Sequence, residues 1–229
     1  MKIHIYYRHY NISGNDGRGR PEGFDFEECF DNLLWSLPYW ESGEYRVNVI
    51  YDSDDFNENW IHNYSYHKLI HIKAGSDASS FFQTCKIIKE DKNIQDDDLI
   101  YFLENDYLHL NGWESKVKDL YKKYNNLSYV SLYDHNDKYF LSQYEDLVSK
   151  IITTNSHHWR TTPSTCGSFI ISKSIFDEDY DILSTMEGDH NKFLWLNENR
   201  NRFVLTPIPG LSTHCMEGLM SPTINWNKI

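Results

Sequence analysis

The chain has 229 residues, 40% of them hydrophobic and 16% aromatic, which is enough apolar material for one large domain with a sizeable core. Its 34 acidic residues against 22 basic ones give a net charge of -12, which argues against a nucleic-acid partner, because that binding rests on Lys and Arg neutralising phosphates. No apolar run approaches the length of a membrane span and no signal or lipidation pattern occurs, so a soluble, cytoplasmic protein with no membrane-spanning segment is expected.

Ile3-His4-Ile5-Tyr6-Tyr7 reads as a first strand. NISGNDGRGRPEG, residues 11–23, is loop by composition, and Arg18 and Arg20 make it locally basic. Phe26, Cys29, Phe30, Leu33, Leu34 and Leu37 then recur at helical spacing, and Pro38 ends that helix. YRVNVIYD (45–52) is a second strand, and KLIHIKAGSD (68–77) a third, broken by Gly75. Ser76 or Asp77 caps a helix carrying Ala78, Phe81, Phe82, Cys85 and Ile88.

LIYFLEND (99–106) is the fourth strand, and its unbroken apolar run implies burial on both faces, as in the middle of a parallel sheet. A helix from about Trp113 to Tyr124 and a strand LSYVSLYD (127–134) follow. Strands and helices alternate to this point, so the first half is α/β with a largely parallel, open sheet. SKIITTNSHHWRTTP (149–163) and CGSFIISKSIF (166–176) read as extended, antiparallel pieces. Helices around Ile175–Leu183 and His190–Asn199 come next, and RFVLTPIPGLSTHC (202–215) is a strand with a proline-stiffened loop. Arg200 and Arg202 form a second basic cluster. No linker separates the halves, so one domain over 1–229 is expected. Cys29, Cys85, Cys166 and Cys215 show no paired spacing, which suits reduced thiols and neither a zinc site nor a disulfide framework.

Glu104 and Asp106 lie just past the end of the fourth strand, where open α/β sheets bind ligands. In an extended chain residues two apart project to one side, so both carboxylates can aim at one point. Two hard oxygen donors at a sheet crevice suit Mg²⁺ or Mn²⁺ shared with substrate phosphates. His109 is placed at a helix start or on the surface.

With these elements in order, the chain resembles a GT-A nucleotide-sugar glycosyltransferase, family-2-like, similar to the compact glycosyltransferase domains of large DNA viruses. FLENDYL resembles the DxD or ExD element that holds a divalent ion against a sugar-nucleotide diphosphate. IHIYYRH resembles the first strand, placing Tyr6, Tyr7 and Arg8 near the base. VIYD resembles the second, whose Asp52 accepts from uracil, and AGSDASS offers Gly75, Ser76 and Asp77 beneath the nucleoside. Glu104 and Asn105 complete the donor side. MEGDHNKFLWL resembles the segment that carries the general base of inverting members, which implies Asp189, with Glu187 as the alternative. TPIPGLSTHC resembles the closing loop that returns a histidine, here His214, to the metal. HHWRTTPSTCGSFIIS loosely fits the acceptor side, where Trp159 and Arg160 are candidates beside His157 and His158.

The resemblance implies a nucleotide-sugar half, 1–110, and an acceptor-side half, 111–229. It also implies inverting, metal-dependent transfer from a nucleoside-diphosphate sugar, with UDP favoured, to a carbohydrate or other hydroxyl acceptor. Two alternatives stand beside it. A sugar nucleotidyltransferase shares the sheet and the acidic metal ligands, and NISGNDGRGRP faintly imitates its phosphate loop. A non-catalytic carbohydrate-binding protein on the same fold would use the abundant Tyr and Trp for stacking.

Overall fold

A computed structural model describes residues 1–10, 17, 19–37, 43–55, 59–124 and 127–229. Arg18, Pro38 and residues 11–16 of the glycine-rich loop lie outside the described residues. The first half supplies β1 (Ile3–Tyr10), α1 (Phe26–Ser36), β2 (Tyr45–Asp52), β3 (Lys68–Ile72), α2 (Asp77–Glu90), β4 (Leu99–Glu104) and β5 (Tyr107–His109). The second half adds α3 (Trp113–Lys123), β6 (Tyr129–Val130), β7 (Ile151–Thr153), β8 (His158–Thr162), β9 (Phe169–Ser172), α4 (Lys173–Leu183), α5 (Asp189–Arg200), β10 (Val204–Ile208) and β11 (Ser212–His214).

A nine-stranded sheet runs in the order β3-β2-β1-β4-β9-β6-β10-β8-β7, so strands of both halves share one sheet. The four strands at the β3 end are mutually parallel, and only β9 and β8 run against the rest. This is the expected α/β, Rossmann-like, mostly parallel open sheet with flanking helices. Its antiparallel pairings are confined to β9 and the β7–β8–β10 edge.

Alternation along each strand explains the two cores. Ile3, Ile5 and Tyr7 of β1 join Leu99, Tyr101 and Leu103 of β4 on one face, beneath Phe30 and Leu33 of α1 and Trp113 and Val117 of α3. Tyr6, Ile100 and Phe102 face the other way, toward Phe81, Cys85 and Ile88 of α2 and Phe176 of α4. Leu99 to Leu103 are all buried, as the apolar run requires. Each large apolar side chain buried there contributes roughly 1.5–3 kcal/mol. Asp25 caps α1 by accepting from the Glu27 and Glu28 amides, and Ser76 caps α2 through the Ser79 amide.

Two expectations change. The strand read over 127–134 keeps only Tyr129–Val130, because its continuation is divided between neighbours: the Ser131 amide donates to Leu205 O, whereas Tyr133 bridges Ser212. His109 is neither a helix start nor on the surface. It is fully buried in β5, its Nε2 is 2.8 Å from the Tyr101 hydroxyl, and burial drives its pKa down to about 3. The second basic cluster is ion-paired: Arg200 and Arg202 both bind the fully buried Asp179, and Arg200 also binds Asp181 and Arg202 Glu178.

A separate two-stranded ribbon decides the geometry of the carboxylate turn. β5 leaves that turn and pairs antiparallel with β11, with Tyr107 opposite His214 and His109 opposite Ser212. The Cys215 amide donates to Asp106 O, locking the end of the ribbon to the turn. This pairing carries His214 across the chain to the end of β4.

Candidate functional site

The strand order places β1 beside both β2 and β4, so the crevice beyond their carboxyl ends lies where the sheet's winding changes direction. A cavity of about 490 Å³ opens there. Arg8, His9 and Tyr10 from the end of β1, Asp52 from the end of β2, Gly75 to Asp77 after β3, and Glu104 to Asp106 after β4 line it. Arg20 and Phe26 close it from the side of the glycine-rich loop and α1.

Arg8 sits in register with Glu104 across the β1–β4 pair. Its Nη2 donates to Glu104 Oε1 at 2.7 Å, and its Nη1 donates to Asp77 Oδ1 at 3.0 Å, so α2 and β4 hold one guanidinium between them. His214 Nε2 lies 2.9 Å from Asp106 Oδ2, with its ring stacked on Tyr107 at 4.9 Å. Arg20 Nη1 donates to the same Asp106 oxygen at 2.8 Å and to Cys215 O at 2.9 Å. Glu104, Asp106 and His214 each offer one ligand atom, all within 4.8 Å of one another. Two carboxylates and an imidazole suit a hard or borderline divalent cation such as Mg²⁺ or Mn²⁺. A cation on Asp106 would share its charge with Arg20.

The environments of the two acids differ. Burial pushes the Glu104 carboxyl up to about 7 against the pull of Arg8. Burial also acts upward on Asp106, but His214 and Arg20 outweigh it and hold that carboxyl below its ordinary value. A group whose folded pKa is raised contributes stability that is fully present below its unfolded value and lost as pH rises through its folded value. The wild-type chain in a chelator is therefore expected to lose on the order of 3 kcal/mol between about pH 4.5 and pH 7 from Glu104. Urea unfolding at pH 5 and pH 8 reads this term, and Glu104→Gln should remove that part of the slope. An identical pH dependence in the variant would refute the assignment.

Of the expected donor-side residues, Arg8, Asp52, Gly75, Ser76, Asp77, Glu104 and Asn105 all line the cavity. Asp52 Oδ1 accepts from the Ala74 amide, and Asn105 Nδ2 lies 3.3 Å from His9 Nδ1. Tyr6 does not reach the cavity: it is fully buried beneath α2, and its hydroxyl donates to Asp91. β1 runs on to Tyr10, so the residues at its mouth are Arg8 to Tyr10 and Tyr6 lies inside the sheet. Tyr7 is likewise core, with its hydroxyl on Asn105 O.

The acceptor-side candidates are scattered. Trp159 is fully buried in the core with its Nε1 on Thr154 Oγ1, so it cannot meet a ligand. Arg160 is buried against Asp134 at 2.7 Å and lines a different cavity with Lys138 and Tyr139. Glu187 is exposed at the rim of a small side cavity that also includes Asp189.

The Asp189 carboxylate is already engaged. It accepts from the Thr165 amide at 2.8 Å, the Thr165 hydroxyl at 2.5 Å, the Cys166 amide at 3.0 Å and the Gly167 amide at 3.2 Å. Taking a proton from an acceptor would require one of these bonds to open. The loop it holds carries Gly167 at φ +77°, where an added Cβ would stand 2.8 Å from Glu104 Oε1. Asp189 thus fastens the segment that backs the Glu104 carboxylate. In the sequence Arg20 stands out only as a basic residue, Phe26 only as an apolar helix position, and His9 not at all. An arginine in a glycine-rich loop directly after a first strand is the one signal that could have pointed to Arg20.

No family model matches the sequence, and no curated protein matches it. Among solved structures, the chain is similar to CMP:2-keto-3-deoxy-manno-octonic acid synthetase complexed with CTP, with a TM-score of 0.51 and 12% identity over 92% of this chain and 92% of that one. It also aligns with the inositol-1-phosphate CTP transferase from T. maritima, with a TM-score of 0.48 and 13% identity over 100% of this chain and 93% of that one. At such identities the likeness is one of fold. Among the described residues, no helix is long and apolar enough to cross a membrane.

Proposed function

We propose that the protein is a nucleotide-dependent transferase whose main cavity holds nucleotide phosphates through Mg²⁺ or Mn²⁺, and that its reaction is sugar nucleotidyl transfer. In that reaction a sugar or sugar-phosphate oxygen attacks the α-phosphorus of a nucleoside triphosphate, and pyrophosphate leaves. The observation that carries the reading is the convergence of Arg8, Arg20, Glu104 and Asp106 on one cavity at the turning point of the sheet, with His214 joined to Asp106 within reach of the same cation. Asp52, Asp77, Glu104 and Asp106 outnumber Arg8 and Arg20 in the cavity wall, so polyphosphate binding there requires a divalent cation beside the two arginines. The fold shared with a synthetase solved with CTP supports this choice.

When bound, the cation would supply Lewis-acid stabilisation of charge on the phosphate oxygens. Glu104, Asp106 and His214 would hold it. Arg8, pinned by Asp77 and Glu104, and Arg20, pinned by Asp106 and Cys215 O, would orient the rest of the phosphate chain. Asp52, Gly75 and Ser76 would face the nucleoside.

A second reading is favoured by the Glu104-Asn105-Asp106 turn with His214. It is glycosyl transfer from a nucleoside-diphosphate sugar to an acceptor hydroxyl, with Asp189 as base once a loop bond opens. Product analysis separates the two. Incubation with nucleoside triphosphates and a sugar-phosphate pool is expected to release pyrophosphate in a metal-dependent manner. Release of a nucleoside diphosphate from nucleotide sugars, without pyrophosphate, would transfer the assignment to the second reading. Ligand binding with neither product would leave a carbohydrate-binding role.

A further inference from the structure

Beside the main cavity lies a smaller one of about 100 Å³, and Arg8 and Asp77 belong to the walls of both. Its far wall is the start of α5, with Gly188, Asp189 and Lys192, and Phe81 forms its apolar side. Lys192 is only 6% exposed, and its ammonium sits 4.0 Å from the centre of the Phe81 ring. Among the described residues that ammonium has no hydrogen bond and no ion pair. A mostly buried ammonium loses much of its hydration, and a cation–π contact replaces only part of it, so an anionic partner is favoured there. Burial accordingly holds the Lys192 pKa below its ordinary value.

The acids around the cavity do not supply that partner. Asp189 spends its carboxylate on Thr165, Cys166 and Gly167. Asp77 has a 77% exposed side chain and is paired with Arg8, and Glu187 stands exposed at the rim. Two further features favour negative charge. The Arg8 guanidinium forms part of the wall, and α5 begins at Gly188 with no side-chain cap on its amides. The positive end of a helix and uncapped N–H groups attract oxyanions.

We propose that this side cavity is an oxyanion subsite, in which Lys192, Arg8 and the start of α5 receive a phosphate or carboxylate group carried by the second substrate. The cavity has room for such a group, and Arg8, which walls both cavities, links it to the main one. Assigning the group to the second substrate rests on the nucleotide reading of the main cavity, whereas the oxyanion site itself does not.

The test uses the full chain with its lysine side chains ¹³C-labelled at Cε, and the Lys192 signal is assigned by its loss in Lys192→Arg. Inorganic phosphate and, separately, acetate are titrated in, with and without CTP and Mg²⁺. The Lys192 signal is expected to move saturably with at least one of them, and its titration midpoint should rise on occupancy. In calorimetry Lys192→Gln should lower the affinity for that anion at least tenfold, while Lys192→Arg keeps most of it and both variants melt cooperatively. Response to phosphate alone identifies a phosphorylated substrate and response to acetate alone a carboxylate, while response to both supports the oxyanion site for either group. A Lys192 signal that ignores both anions overturns the subsite. If none of ATP, CTP, GTP and UTP binds with Mg²⁺ while Lys192 still responds, the nucleotide reading is overturned and the subsite stands.

Discussion

Asp106→Asn is expected to weaken Mn²⁺ binding by at least about 100-fold, beyond the 10–100-fold typical of losing an outer-shell partner. Metal-supported nucleotide binding should fall with it. Asp106 is the one member of the cluster held ionised by its surroundings, with His214 and Arg20 both on its carboxylate. A hard cation needs that formal charge, and an amide of the same volume removes it while leaving an oxygen in place. Alanine is the poorer probe. It would strand Arg20, whose side chain is 12% exposed, and breaking a buried pair in this way costs about 3–5 kcal/mol. Calorimetric titration of Mn²⁺ into wild type and Asp106→Asn reads the effect directly, and a shared cooperative melt excludes misfolding. An affinity within about threefold of wild type would mean that the metal is held elsewhere. The nucleotide arm is equally decisive: beyond a Debye length of about 8 Å the acidic surface is screened, so phosphate binding is governed by the local charges at this turn.

How much of this site was visible in the sequence depends on how local each signal is. The run Leu99 to Leu103 announces a buried central strand, and the two acids after it follow from period-two geometry, so β4 and its carboxylates were legible. Tyr6 was misplaced because the end of β1 was read three residues early. Its true mouth, Arg8 to Tyr10, holds polar residues that do not prolong an apolar pattern. Trp159 carries no mark that separates a core tryptophan from a sugar-stacking one, and only the fold shows that it joins the main core cluster. Arg20 meets a partner 86 residues away from inside a loop without periodicity. His214 could be proposed only through family resemblance, because the three-residue β5–β11 ribbon that delivers it is too short to be read from alternation. Lys192 looks like one solvated lysine in a polar helix. Its burial depends on Phe81, more than a hundred positions earlier.

Gly167→Ala is expected to damage the metal centre through the backbone behind it. At φ +77° an alanine costs about 1–2 kcal/mol on conformational grounds alone. The second consequence is steric: the new Cβ would lie 2.8–2.9 Å from three atoms of the Glu104 carboxyl group, which must then shift from the position in which it meets Arg8. Mn²⁺ affinity should drop about tenfold and the melting temperature should fall. A double-mutant cycle isolates the contact, because with Glu104→Ala already present the glycine substitution should retain only its conformational cost. Additive effects on metal affinity would show that Glu104 and Gly167 do not act together. Asp189→Asn extends the argument. It turns an amide N–H toward the Thr165, Cys166 and Gly167 donors, so the loop should loosen and Mn²⁺ affinity should fall in a binding experiment that contains no acceptor. A residue that served only as a general base would leave that measurement unchanged, so the experiment separates positioning from proton transfer at Asp189.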